Sequence, residues 1–273
     1  MTRSARGWLA DTARTLVAGV LDPAAIEPLR RERETVTAAR TPQERSWVVG
    51  VVSGGPRVGA TTTAIATAVT LAALRDDGVA VMTTAADERL SGRLGRPSAP
   101  RLSEIADRLP GDVPRAAGVC VVDGPTVGER VPQAQLRNAV DVLAYRHTFV
   151  LLDIGGAETE LAHDALACVD TVVAVARTGP DAAVEASRAL DRVMRVAPGA
   201  YESAVVAIVG GRPRTRRTIA DQLCEWPGVA ADRIVGVAND RSLASGSYAT
   251  GQVSSTTQVG YLRIAALLGA ATG

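Results

Sequence analysis

Lysine is absent from all 273 residues, so each of the 30 basic side chains is an arginine. No ammonium group can therefore reach a phosphate from any side chain. Aromatic residues are scarce at 3%, with a single Phe, which excludes a core built on rings. Ala, Val, Leu and Gly must fill it instead, a composition that suits buried parallel strands covered by Ala-rich helices. The three cysteines, Cys120, Cys168 and Cys224, lie far apart without metal-ligand spacing, which points to buried free thiols. Excess charge is missing too: the 29 acidic residues nearly balance the arginines, and a net charge of +1 gives no general attraction to polyanions. No apolar run approaches the roughly 20 residues that span a bilayer, since Asp11 and Arg14 interrupt the N-terminal one. These absences predict a cytoplasmic protein without a transmembrane segment.

What is present is an alternation. Trp8, Leu9, Leu16, Val17, Val20 and Leu21 show helical spacing before the Asp22-Pro23 break, and residues 22–45 are charged and irregular in pattern. From Trp47 the chain changes character. The runs at 47–52, 78–83, 119–122, 148–153, 171–176, 204–209 and 234–237 are short and apolar throughout, and helical segments follow at 60–74, 182–196 and 259–268. Strands of this kind separated by helices predict an α/β fold: a three-layer parallel sheet with helices on both faces. The division expected is an N-terminal helical extension over residues 1–46 and one domain over residues 47–273.

The first strand runs into Gly54-Gly55-Pro56-Arg57-Val58-Gly59-Ala60-Thr61, and a helix follows. This is the G-x-x-x-x-G-x-T spacing of a phosphate-binding loop in its strand-to-helix context. Glycines let backbone N–H groups turn toward phosphate oxygens, the helix N-terminus adds partial positive charge, and Thr61 offers a hydroxyl to Mg²⁺. The position that should carry a lysine is Ala60, which leaves Arg57 as the nearby cation. The plainer reading is a glycine turn of the kind any doubly wound sheet uses.

With its Thr61-Thr62-Thr63 run and Ala-rich helix, the chain over about residues 47–268 resembles the ParA/MinD superfamily of P-loop ATPases, whose loop reads K-G-G-x-G-K-T-T. The resemblance implies that fold. It sets Gly55 at the signature lysine and Ala60 at the second one, so both cations are lost and efficient ATP hydrolysis with them. The pattern is most similar to the atypical CpaE/TadZ branch, in which G-G-x-G-A/S-T occurs and which is associated with polar positioning and assembly of Tad pili; Pro56 and Arg57 depart even from that. The resemblance implies nucleotide-binding positions at Gly54, Gly55, Arg57, Gly59, Ala60, Thr61 and Thr62, with ATP or ADP and Mg²⁺ as cofactors, or none if the loop is fully degenerate.

The family's D-x-D after the first helix falls on Thr84 and Ala86, with Asp87 and Glu88 just beyond. Its strand-end acid that orients Mg²⁺ corresponds to Asp153. Asp87 and Asp153 are thus the catalytic candidates, and Thr61 with Asp153 the metal pair. A solvated loop acid is the commoner explanation for Asp87 and Glu88, and a strand-end acid such as Asp153 can equally cap the next helix or turn. The family's base-reading Asn has no counterpart after residues 204–209, where Gly210 and Gly211 follow, whereas Asn239 and Asp240 follow a later strand. Arg212, Arg214, Arg216 and Arg217 form a basic cluster that reads more simply as a solvated loop than as a DNA contact. Residues 261–268 are too weakly basic for a membrane-targeting tail. His147 and His163 lack any metal or nucleophile spacing.

Three readings stand. The first is a positioning or assembly factor with weak or no hydrolysis, acting as a homodimer with protein partners of a secretion, pilus or division system that recruit it to the membrane or pole. The second is an active ATPase of the MinD/ParA type, working in spatial organisation or partitioning. The third is a pseudo-ATPase that binds no nucleotide and works as an interaction module.

Overall fold

Val, Ile and Leu runs without polar alternation bury both faces of a strand, and only a sheet covered on both sides satisfies them. In the computed structural model, which describes residues 23–105, 113–156, 158–225, 229–244, 246–248 and 252–270, they form one such sheet. Its strands are β1 (Trp47–Ser53), β2 (Val79–Thr83), β3 (Arg115–Ala116), β4 (Val119–Val122), β5 (Phe149–Gly155), β6 (Thr171–Arg177), β7 (Val205–Val209) and β8 (Ile234–Val237). They stand in the order β3-β4-β2-β5-β1-β6-β7-β8. Every pairing is parallel except β3 with β4, a hairpin closed by Ala117 and Gly118 at φ 49° and 85°. Two consecutive left-handed residues match the twist of the strands they join.

The helices are α1 (Pro23–Ala39), α2 (Ala60–Leu74), α3 (Gln133–Ala144), α4 (Glu160–Leu166), α5 (Ala182–Val196), α6 (Pro198–Glu202), α7 (Pro213–Glu225) and α8 (Ser255–Ala270), with single helical turns at Leu90–Arg93, Leu102–Ile105 and Arg241–Ala244. Side chains alternate along β1. Val48 and Val52 face α3, α4, α5 and α7, while Val49 and Val51 face α2 and α8. This is the three-layer arrangement expected. Helices α3, α4 and α7 fill stretches where the sequence pattern left only connections, because the sheet supplies the apolar surface that their short stripes need.

The helix expected over residues 6–21 lies outside the described residues. The stretch read as irregular contains α1, whose C-terminal end is held by tertiary contacts. A Cβ on Gly269 of α8 would come within 2.3 Å of the Ala38 carbonyl, so glycine there lets the two helices meet backbone to backbone. The buried guanidinium of Arg75 donates to the carbonyls of Ala39 and Thr41 at 3.0 and 2.8 Å.

The chain leaves β1 toward β2 and leaves β5 toward β6, on the opposite side. Connections diverging in this way open a crevice outside the carboxyl ends of the strands. No described helix is long and apolar enough to cross a membrane.

Candidate functional site

Strand β1 ends at Ser53 and α2 begins at Ala60, so the whole loop lies at the mouth of that crevice. Gly59 caps α2 at φ 101° with no side chain bonded across it, which leaves the first N–H groups of the helix open to the crevice. Arg57 is also left-handed at φ 58°, an uncommon conformation for a residue with a Cβ. The Ser53 hydroxyl donates to the Gly55 carbonyl at 2.9 Å and tightens the turn.

Two glycine loops pack here on one helix. A Cβ on Gly54 would lie 1.9 Å from the Glu185 carbonyl of α5, and one on Gly156 would lie 2.8 Å from the Gly55 carbonyl. Arg192 of α5 donates to the Gly155 carbonyl at 2.9 Å and reaches the Ser53 carbonyl at 3.5 Å. The loop after β1 and the loop after β5 are therefore fixed relative to each other.

They enclose a cavity of about 520 Å³ lined by residues 55–62, Gly155, Gly156, Arg93, Leu243 and Gly246. Of the residues expected to hold nucleotide, Gly55, Arg57, Gly59, Ala60, Thr61 and Thr62 line this space, whereas Gly54 packs behind it on α5. A neighbouring cavity of about 370 Å³ shares Arg57, Gly59 and Thr62 and extends to Arg177, Asn239 and Asp240. Asn239 is exposed there. Asp240 accepts from Ser242 N, Ser242 Oγ and Ser254 N; burial works against its charge, but these bonds win and hold it low, at about 2.

Asp153 is 1% exposed and lies behind Thr61 rather than on the cavity wall itself. Parallel pairing of β2 with β5 sets it opposite Thr83, whose hydroxyl donates to Oδ2 at 3.0 Å. Oδ1 is buried with no hydrogen-bond partner. Burial pushes the carboxyl up to about 6; the Thr61 and Thr83 hydroxyls pull the other way, the Glu88 charge adds to the rise, and Arg93 opposes it. Asp87 sits elsewhere, on a left-handed turn at φ 55°, exposed and 3.7 Å from Arg101, outside the wall of either cavity. Its neighbour Glu88 instead meets Arg93 at 2.6 Å.

Thr84, at one of the two expected carboxylate positions, is buried and directed at the Asp153 carbonyl, 3.4 Å away. Of the arginine cluster, Arg214, Arg216 and Arg217 lie on the first turns of α7 and Arg212 just before it, and Arg216 folds back on the carbonyls of Gly210 and Gly211, 3.2 Å from each. His147 is buried with Nδ1 2.7 Å from the Leu143 carbonyl, and Cys120 is buried with its thiol pushed up to about 12 by desolvation. Among the described residues no three His, Cys, Asp or Glu side chains cluster as a metal site. Arg93 on the cavity wall, Thr83 against Asp153 and Arg192 across the two glycine loops are residues that the sequence pattern did not single out, because their placement depends on strand order and carries no short-range signal.

No protein-family profile and no curated protein sequence matches this chain. Solved structures do. A ParA family ATPase from Chlorobium tepidum aligns at 16% identity over 81% of this chain and 98% of its own, with a TM-score of 0.63. A chain of the MinC:MinD cell division protein complex of Aquifex aeolicus aligns at 13% over 82% of this chain and 95% of its own, with a TM-score of 0.64. An ATP complex of McdA from Cyanothece aligns at 17% over 81% and 96%, with a TM-score of 0.62.

Proposed function

We propose that this chain, which has the fold of the ParA/MinD ATPases, binds an adenine nucleotide with Mg²⁺ at the loop after β1 and uses it to control assembly rather than to sustain rapid hydrolysis. The observation that carries this reading is the pairing of an open helix N-terminus at Gly59, on the cavity wall, with a buried carboxylate at Asp153 set behind Thr61 of the same wall. Backbone N–H groups of residues 57–61 would bind phosphate oxygens, and the glycine conformation lets them converge.

Mg²⁺ fits the residues present. Asp153 Oδ1 is buried and makes no direct hydrogen bond, a defect that a metal-bound water would repair, and the Thr61 hydroxyl, near enough to favour the ionised carboxylate, lies on the cavity wall. When bound, the ion neutralises phosphate charge. Asp153, fixed by Thr83, would help to hold it, and Thr61 would offer a hydroxyl. Hydrolysis is weak in this reading because Gly55 and Ala60 replace the two family lysines, and Thr84 with Ala86 replaces the D-x-D carboxylates.

The loop pattern supports a role like that of CpaE/TadZ proteins, as a homodimeric positioning or assembly factor recruited by protein partners to a membrane-associated secretion, pilus or division system. That MinD is found with MinC, and McdA with ATP, is consistent with such a role. The test is calorimetric titration with Mg-ATP, Mg-ADP and Mg-GTP together with phosphate release on the same preparation. Binding of adenine nucleotide without turnover is the expected result. Sustained turnover would instead favour an active partitioning ATPase, and no binding would leave an interaction module on an inherited fold.

A further inference from the structure

The geometry points to Arg93 as the cation that meets the nucleotide polyphosphate in this lysine-free site, reaching it from the turn after β2 rather than from the loop itself. This inference rests on the nucleotide-binding reading and names the residue that supplies its missing charge.

Arg93 lines the same cavity as the phosphate loop, and of the two arginines on that wall it is the one held in place. Its fork is engaged by Glu88, Nε to Oε1 at 2.6 Å and Nη2 to Oε2 at 3.2 Å. Nη1 reaches only a long contact, 3.4 Å, to the Gly246 carbonyl, so this nitrogen is the one a stronger acceptor would capture.

The supporting turn is fixed as well. Leu90 is buried, and Ser91 donates to the buried Asp123 carboxylate through its N–H at 2.9 Å and its hydroxyl at 2.6 Å. The Arg93 carbonyl accepts from Tyr248 N at 2.7 Å, which ties the turn to the segment that closes the cavity on that side. A side chain ordered before the ligand arrives loses less entropy on binding than the exposed Arg57 would. Glu88 is the positioning residue: it holds Nε and Nη2 and leaves Nη1 to turn to phosphate.

The experiment is calorimetric titration of Mg-ATP into the full chain and into Arg93→Ala, Arg93→Gln, Arg93→Lys and Arg57→Ala, each at low and moderate salt. Arg93→Ala should raise Kd on the order of 10- to 100-fold and flatten its salt dependence, with Arg93→Gln matching it, Arg93→Lys recovering part of the loss, and Arg57→Ala changing Kd by less than about threefold. If the unaltered chain binds Mg-ATP and both neutral Arg93 variants stay within about twofold of it, the assignment to Arg93 is overturned while nucleotide binding stands. If the unaltered chain binds nothing, both fall. Should Arg93→Ala fail to fold, Arg93→Gln, which keeps a donor for Glu88, decides the question.

Discussion

The Thr83 hydroxyl donates to Oδ2 of Asp153 over 3.0 Å, although the two residues are 70 positions apart. The other carboxylate oxygen is left buried without a partner, and burial raises the carboxyl to about 6. A folded-state pKa above that of the unfolded chain means that the protonated acid is favoured by folding. Its contribution is fully present below about pH 4 and is lost as pH rises through about 6. Without nucleotide or Mg²⁺, Asp153→Asn should therefore be more stable than the unaltered protein at pH 7.5, by up to about 3 kcal/mol, with the gain vanishing near pH 4. Urea melts at the two pH values measure this; an equal effect at both would contradict it.

In the proposed site the same carboxylate must be ionised to help hold Mg²⁺. The gain in nucleotide affinity on adding Mg²⁺ should grow between about pH 5 and pH 7.5, and should disappear at every pH in Asp153→Asn. Titrations with and without chelator across that range would show it, and a pH-independent Mg²⁺ effect would remove Asp153 from the metal site.

Thr61→Ala and Gly59→Val should abolish nucleotide binding while the circular dichroism spectrum stays native. A Cβ on Gly59 would meet open space, so substitution there strains the backbone at φ 101° rather than the packing, at a cost of about 1–2 kcal/mol. Gly54→Ala differs, because its Cβ would meet the Glu185 carbonyl, and it should lose solubility or melt far earlier. Unchanged affinity in both loop variants would sink the site.

At Arg57 the left-handed backbone favours glycine. Arg57→Gly should raise stability by about 0.5–1 kcal/mol in a thermal melt, whatever its effect on ligand. Ala60→Lys restores the family cation at the first residue of α2, on the cavity wall, and should tighten Mg-ATP or raise phosphate release. If neither binding nor turnover responds, the loop does not address phosphate as its spacing implies.

Arg75 joins α1 to the body of the fold through the Ala39 and Thr41 carbonyls, pairs with Asp77, and lies 5.1 Å from the centre of the Phe149 ring. Arg75→Ala should cost about 2–4 kcal/mol and expose residues 40–46 to protease. Unaltered proteolysis would mean that the α1 docking does not depend on this guanidinium.

Much of the architecture is legible in the chain itself. The apolar runs mark the longer strands to within two residues, since a strand buried on both faces needs no partner to be recognised. The loop at residues 54–61 can be read because its glycines stand at fixed spacing within one turn between a strand and a helix. Helix α1 cannot, because what stabilises its end is Arg75, Gln43 and the bare backbone of Gly269. The arginines of α7 cannot be placed either, because the carbonyls that capture Arg216 come from the ends of β7 and β8.

By itself, then, the sequence determined the class of fold, the position of the glycine loop between the first strand and the first sheet-covering helix, and the absence of any lysine from it, all of them consequences of local pattern and composition. The tertiary structure decided which residues stand around that loop. Strand order brings Thr83 against Asp153 and stacks the 155–156 loop on Gly55, and the turn after β2 carries Arg93 to the cavity wall. Those neighbours are set by the pairing of strands far apart in the chain, and no spacing along the chain encodes them.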